Sequence, residues 1–242
     1  MPSSSYARSA DPLRDGSATV LDNPVWYSLS TAHAHLSQGN SHARRYLPEI
    51  SPLAATADLD DEAYLQLSAM LSPGQVAAVL RDSPVASLPG FEILHQISVD
   101  QMIWEGGSVS VANPGEVMGS ADAPEMLALT ELTKPGPFTL RTHELGRYIG
   151  IRKSGKLAAM AGERMRMPGY TEVSAVCTHP DHRGHGYASE LVLAMVTTIM
   201  QRGDVPFLHV ASENASAIKV YEKLGFHRRR VWNFVVAKSK SA

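Results

Sequence analysis

The stretch that most constrains this chain runs from residue 172 to residue 199. Glu172-Val173-Ser174-Ala175-Val176-Cys177-Thr178 reads as a short strand. It is followed by His179-Pro180-Asp181-His182-Arg183-Gly184-His185-Gly186-Tyr187-Ala188, and then by Ala188, Leu191, Val192, Met195 and Ile199 at helical spacing. A strand that passes through a glycine turn into a helix makes an anion site, because unpaired backbone N–H groups and the positive end of the helix dipole converge there. Gly184 and Gly186 let the backbone approach a phosphate with no side chain between, and Arg183 adds a cation. Two glycines alone also fit an ordinary strand-to-helix connection.

The following residues separate these readings. Pro206 to Val210 is a second apolar strand, Asn214 opens a helix over Ala215 to Leu224, and Gly225 ends it. The run Arg183-Gly184-His185-Gly186-Tyr187-Ala188 resembles the R/Q-x-x-G-x-G/A pattern of GNAT-type N-acetyltransferases. The stretch Asn214-Ala215-Ser216-Ala217-Ile218-Lys219-Val220-Tyr221-Glu222-Lys223-Leu224-Gly225-Phe226 resembles the second cofactor motif of that superfamily. Both motifs occur in order, one helix and one strand apart, within a resemblance that covers roughly residues 122 to 238.

The resemblance implies an α/β (α+β) fold with a mixed, mostly antiparallel sheet flanked by helices. It implies transfer of an acetyl group from acetyl-coenzyme A to a primary amine in a ternary complex. Arg183, Gly184, His185, Gly186, Tyr187 and Ala188 would then hold the pyrophosphate. Backbone groups of Val176, Cys177 and Thr178 would pair with the pantetheine arm, and Asn214 and Ala217 would contact the cofactor. Tyr221 would meet the departing thiolate, and Glu172 would remove the amine proton through water. A phenol with a reference pKa of about 10 can donate to a thiolate whose acid has a pKa of about 8.5. Strand alternation places Glu172 on the face of Ser174, Val176 and Thr178. The residues by themselves also fit blander roles: an edge carboxylate for Glu172, a buried aromatic for Tyr221 and a helix cap for Asn214. A non-catalytic acyl-coenzyme A-binding module is the alternative function.

Three other features carry less. His179, His182 and His185 recur at three-residue intervals, but a turn containing proline and glycine aligns no three ligands and no carboxylate or cysteine motif completes them. No metal is therefore expected. Cys177 reads as a small buried side chain, with no base to make it a nucleophile. His227-Arg228-Arg229-Arg230 lacks the interleaved aromatics of a nucleic-acid platform and reads as a solvated strand end, close to an adenosine 3′-phosphate.

The organisation expected is a mobile tail over residues 1–20, an α/β unit over 21–120 that is a degenerate copy of the same fold, and the acetyltransferase unit over 121–242. In the first unit, Trp26, Leu29, Ala32, His33 and Leu36 predict one helix and Asp60-Asp61-Glu62 opens another; Val76 to Leu80 and Phe91 to Val99 predict strands. Pro124 to Leu132 predicts a helix, and residues 147–152 and 156–165 a hairpin feeding the strand at 172. Charge divides unevenly: residues 1–121 carry −8 and residues 122–242 carry +6, for a net −2. That split predicts a basic half attracting a phosphorylated ligand and an acidic half walling the site for a cationic or amine-bearing acceptor. With one cysteine, no secretory signal and no membrane-length apolar run, the chain is expected in the cytosol, with neither membrane nor nucleic acid as a partner. A homodimer is the default assembly. The acceptor is left open among amino acids, peptide amino termini, polyamines and drugs.

Overall fold

The structure, a computed structural model, describes residues 20–240 except 108, 110, 112 and 113. The tail expected over residues 1–20 lies, save Val20, outside the described residues. The elements are α1 (Pro24–Ser30), β1 (Ser37–Gly39), β2 (Ala43–Tyr46), β3 (Ala54–Thr56), α2 (Asp61–Ala69), β4 (Val76–Arg81), β5 (Phe91–Trp104) and β6 (Glu116–Met118). They continue with α3 (Ala123–Thr133), β7 (Tyr148–Lys153), β8 (Lys156–Met167), β9 (Tyr170–Thr178), α4 (Tyr187–Gln201), β10 (Val205–Ala211), α5 (Ala215–Leu224) and β11 (Phe226–Ser239).

Local chemistry sets several boundaries. The Asp60 side chain accepts from the Ala63 N–H at 2.8 Å and starts α2. The first helix is shorter than its apolar spacing predicts. The Ser30 and Thr31 hydroxyls bond back to the carbonyls of Trp26 and Tyr27, and the chain leaves α1 at Thr31. His33 then sits in the core, its Nδ1 3.1 Å from Ser28 Oγ and 2.9 Å from the Tyr46 hydroxyl. Burial lowers its pKa to about 4, so the ring is neutral at pH 7.

Eight strands form one sheet in the order β4-β11-β5-β10-β9-β8-β7-β6, and β1-β2-β3 form a separate small sheet. Within the large sheet β9 and β10 are parallel, and the other neighbours are antiparallel. The long strand β5 lies between β11 and β10, so residues before 120 occupy the middle of the sheet that carries both cofactor motifs. The sheet therefore continues across the boundary expected near residue 120. Phe226–Ser239, of which the sequence marks only the basic run His227-Arg228-Arg229-Arg230 as a strand end, is a 14-residue strand whose register follows β5 from Trp104 to Phe91.

Both faces are covered. Leu191, Val192, Met195 and Ile199 of α4 pack with Ile149, Ile151, Ala159, Ala161 and Val173 on one face. On the other, Met126 and Leu129 of α3 meet Tyr148, Leu157 and Met160, while α1 and the small sheet cover Met165, Tyr170 and Phe207. Period-two alternation explains the division: Ile149 and Ile151 face α4, and Tyr148 between sheet neighbours faces α3.

Candidate active site

The site begins where the parallel pair comes apart. β9 and β10 pair at Tyr170/Val205, Thr171/Pro206 and Glu172/Phe207, after which β9 runs on to Thr178 and β10 to Ala211 without further pairing. A cavity of about 320 Å³ occupies the opening. Its lining includes the β9 backbone from Val173 to Thr178, Val210 and Ala211 of β10, and Tyr221 of α5.

A bulge in β9 shapes this opening. Gly162 pairs with Ser174 and Met160 with Cys177, so two residues of β9, Ala175 and Val176, oppose Ala161 alone. Ala175 takes φ 51°, a left-handed conformation that costs a non-glycine residue about 1–2 kcal/mol. The extra residue shifts the alternation. Val173 and Val176, three apart, both pack toward α4, while Cys177 packs toward α3. The expectation that Glu172 shares a face with Val176 is thereby corrected. No sequence rule marks the bulge, since alanine is an ordinary strand residue.

A second cavity, about 530 Å³, continues past Thr178, Arg183, Asn214 and Ala217, which line both. Its floor is the glycine turn. Gly184 and Gly186 have φ of 80° and 81°, and Gly186 is the N-cap of α4. That cap offers no side chain, so the N–H groups of the first turn point outward beside Tyr187, Ala188 and Ser189, which line the cavity. Added β-carbons at either glycine would meet nothing within 4 Å, so backbone conformation, rather than space, is what requires glycine. Arg183 lies on the same rim. His185 is outside the lining; its ring stacks on Tyr187 at 5.5 Å and its Nδ1 lies 3.0 Å from the Arg183 carbonyl. His182, one of the three spaced histidines, and Ser216 of the second motif also line this cavity, as does Ser189, which the sequence did not single out.

Asn214 performs its cap, accepting from the Ala217 N–H at 3.1 Å, and also lines both cavities. The Thr178 hydroxyl is buried with no partner among the described residues, a donor and acceptor left over where the two cavities join. Tyr221 packs edge-on against Phe226 at 5.9 Å, and burial pushes its phenol up to about 12, with Cys177 adding to the shift. Burial likewise pushes the Cys177 thiol up to about 11, which keeps it protonated and inert at pH 7.

Glu172 stands apart from its expected role. It is fully buried, and its two oxygens accept from Arg164 at 2.7 and 2.5 Å. Oε1 also lies 2.8 Å from His209 Nδ1, whose ring partner Nε2 faces Gln101 Nε2 at 3.3 Å. Burial alone would raise the carboxyl pKa; the Arg164 guanidinium and His209 override it and hold the group near 2. Glu172 is thus a fixed anion, absent from the lining of the three cavities that its partner Arg164 lines.

The basic run also finds partners. Arg228 pairs with Asp100 at 2.5 Å, Arg229 with Asp22 at 2.6 Å, and Arg230 with Asp22 and Asp82 at 3.1 and 3.2 Å. All three acids come from the first half of the chain, so much of the uneven charge is matched internally. Among the described residues no three His, Cys, Asp or Glu side chains are placed to hold a metal ion. No helix among them is long and apolar enough to cross a membrane.

A solved structure from Novosphingobium aromaticivorans, described as an acetyltransferase from the GNAT family, matches 93% of this chain and 100% of its own at 38% identity, with a TM-score of 0.86. The chain belongs to the GNAT family. The FR47-like protein family matches residues 148–235, from β7 to the middle of β11. The N-alpha-acetyltransferase RimI of Mycobacterium tuberculosis is 32% identical over 84 residues, 34% of this chain. The match spans about half the length of that relative, 52%. A GCN5-related N-acetyltransferase from Kribbella flavida shares the fold at 15% identity, covering 90% of this chain and 96% of its own with a TM-score of 0.57. The mixed, mostly antiparallel sheet flanked by helices is the GNAT fold expected from the sequence.

Proposed function

We propose that this GNAT chain moves an acetyl group from acetyl-coenzyme A to a primary amine by direct attack of the amine on the thioester, in the cytosol. The observation that carries the reading is the continuity of the groove. An anion-binding turn, a stretch of β9 edge unpaired toward β10, and the Tyr221 phenol follow one another along two joined cavities.

The chemistry distributes along that groove. The pyrophosphate sits on the N–H groups of the first turn of α4, with Arg183 supplying charge. The pantetheine arm takes the place of the missing strand beside Val176, Cys177 and Thr178. As the carbon–sulfur bond breaks, Tyr221 hydrogen-bonds the thiolate; its raised pKa keeps the donor protonated through the physiological range. The amine proton does not go to Glu172, whose oxygens are held by Arg164 and His209. Among the described residues no carboxylate lines either the thioester cavity or the chamber next to it. His209 lines both, but its ring nitrogens face Glu172 and Gln101, so the proton leaves to water and the amine reacts from its neutral form.

Two measurements test this. Purified protein with acetyl-coenzyme A, coenzyme A or ATP should show stabilisation by both coenzyme A species alone, about 2.7 kcal/mol at 100 times the dissociation constant. Thiol release against pH should then rise with an acid limb that follows the pKa of whichever amine is supplied. A melting shift with no thiol release from any amine would establish a binding module instead. An acid limb fixed across amines of different pKa would return the proton to a protein group.

A further inference from the structure

Beyond the thioester cavity lies a chamber of about 190 Å³. Lys134, Pro135, Arg164, His209 and Ala211 line both spaces, so the chamber adjoins the thioester cavity. The remaining walls are apolar. Leu53, Leu80, Ile97 and Val99 come from the first half of the chain, and Met165 and Phe234 from the second. Ile97 is 45% exposed, an uncovered apolar side chain on the chamber wall.

From this juxtaposition we infer that the acceptor is a monoamine on an apolar body, aromatic or branched aliphatic and about one ring in size. The inference rests on the acetyl-transfer reading above and adds the class of substrate. Volume fits: an apolar cavity of about 150 Å³ admits benzene. Charge fits as well. No carboxylate lines the chamber, the Arg164 cation is spent on Glu172, and Lys134 brings positive charge to the junction. The acids that gave the first half its negative charge and lie nearest in sequence to these walls, Asp82 and Asp100, are held by Arg230 and Arg228. A second cation on the substrate would meet a wall of Leu, Val, Ile and Phe with no counter-charge, at the cost of desolvating it. This class narrows the cationic or amine-bearing acceptor that the charge split predicts to one with a single amine on an apolar body.

The test compares phenethylamine with pentane-1,5-diamine on the full chain. With acetyl-coenzyme A, kcat/KM for phenethylamine should exceed that for the diamine by about ten-fold or more, the expected gain from burying one aromatic side chain. Calorimetry in the presence of coenzyme A should show phenethylamine binding and none by the diamine. Ile97→Asp, at an exposed position that tolerates a polar side chain, should raise KM for phenethylamine and lower the preference while the melting shift with coenzyme A persists. Phenethylamine binding without turnover would support the chamber and overturn the transfer reading instead. Equal or better use of the diamine, or no binding of phenethylamine, overturns the inference. So would a preference for octanoyl- over acetyl-coenzyme A that Ile97→Asp abolishes, since the chamber would then hold the acyl chain.

Discussion

The two ends of the groove are built by different means. At the proposed cofactor end, backbone does the work: a glycine turn, the open N-terminus of α4 and the unpaired edge of β9. At the proposed acceptor end, side chains do it: Leu53, Leu80, Ile97, Val99 and Phe234 arrive from strands and loops far apart in sequence. Backbone devices demand particular residues at fixed spacing, which is why the first end can be read as a motif. A wall of apolar side chains demands only bulk and polarity, so many sequences satisfy it and none announces it. The contrast teaches that the proposed donor site is written locally and the proposed acceptor site non-locally. Substitutions at each end should differ accordingly.

The largest effect should come from the ionic floor that joins the ends. Glu172→Gln leaves the Arg164 guanidinium buried without its partner, and breaking a buried pair in this way typically costs about 3–5 kcal/mol. Urea unfolding measures it. A protein as stable as the parent with only a slower rate would restore Glu172 as a base. The pH dependence has a definite sign. Because the folded pKa, near 2, lies below the usual carboxylate value, the stabilisation is complete above about pH 5. It is lost as pH falls toward 2, so Glu172 contributes no change across the neutral range.

Tyr221→Phe comes next. Losing an acid that acts on the leaving group should reduce kcat by about 100-fold, the lower end of what a positioned acid or base contributes. The ring and its packing on Phe226 remain, so coenzyme A affinity should hold within about two-fold. Stopped-flow turnover and calorimetry separate the two. Equal losses in both would make Tyr221 a packing residue.

Gly186→Ala should act on the donor end alone. At φ 81° an added side chain costs about 1–2 kcal/mol, and the turn relieves that strain by distorting the N–H groups that cradle the anion. Coenzyme A should bind about ten-fold more weakly, while dephosphorylated fragments such as pantetheine, which do not reach the turn, should be unaffected. A uniform loss would mean that the glycine turn shapes the whole groove.

These contrasts also explain what was legible in advance. The helix Ala215–Leu224 was bounded to the residue, because Asn214 and Gly225 supply chemical start and stop signals. The sequence marks a strand at 172–178 but not its faces beyond Ser174, because the bulge at Ala175 depends on pairing with β8 that no local pattern records. The place of β5 between β10 and β11 was equally hidden. Strand order is a long-range property, and residues 91–104 carry only a strand's periodicity. The ion pair of Glu172 is hidden for the same reason: its partners Arg164 and His209 stand on neighbouring strands.

The smallest effect is the one that decides what the uneven charge is for. Asp22 accepts from both Arg229 and Arg230, joining the amino-terminal half to β11, and both arginines keep some exposure. Pairs of this kind contribute about 0–1 kcal/mol, since water competes for each partner. Asp22→Asn should therefore lower stability by less than about 1 kcal/mol and leave KM for the amine unchanged. If the acidic half drew a cationic acceptor through its field, removing one of its charges would raise that KM, most at low salt where screening is weakest. An unchanged KM at low and high salt would mean that the charge split is matched inside the fold. Selection of the acceptor would then belong to the apolar wall.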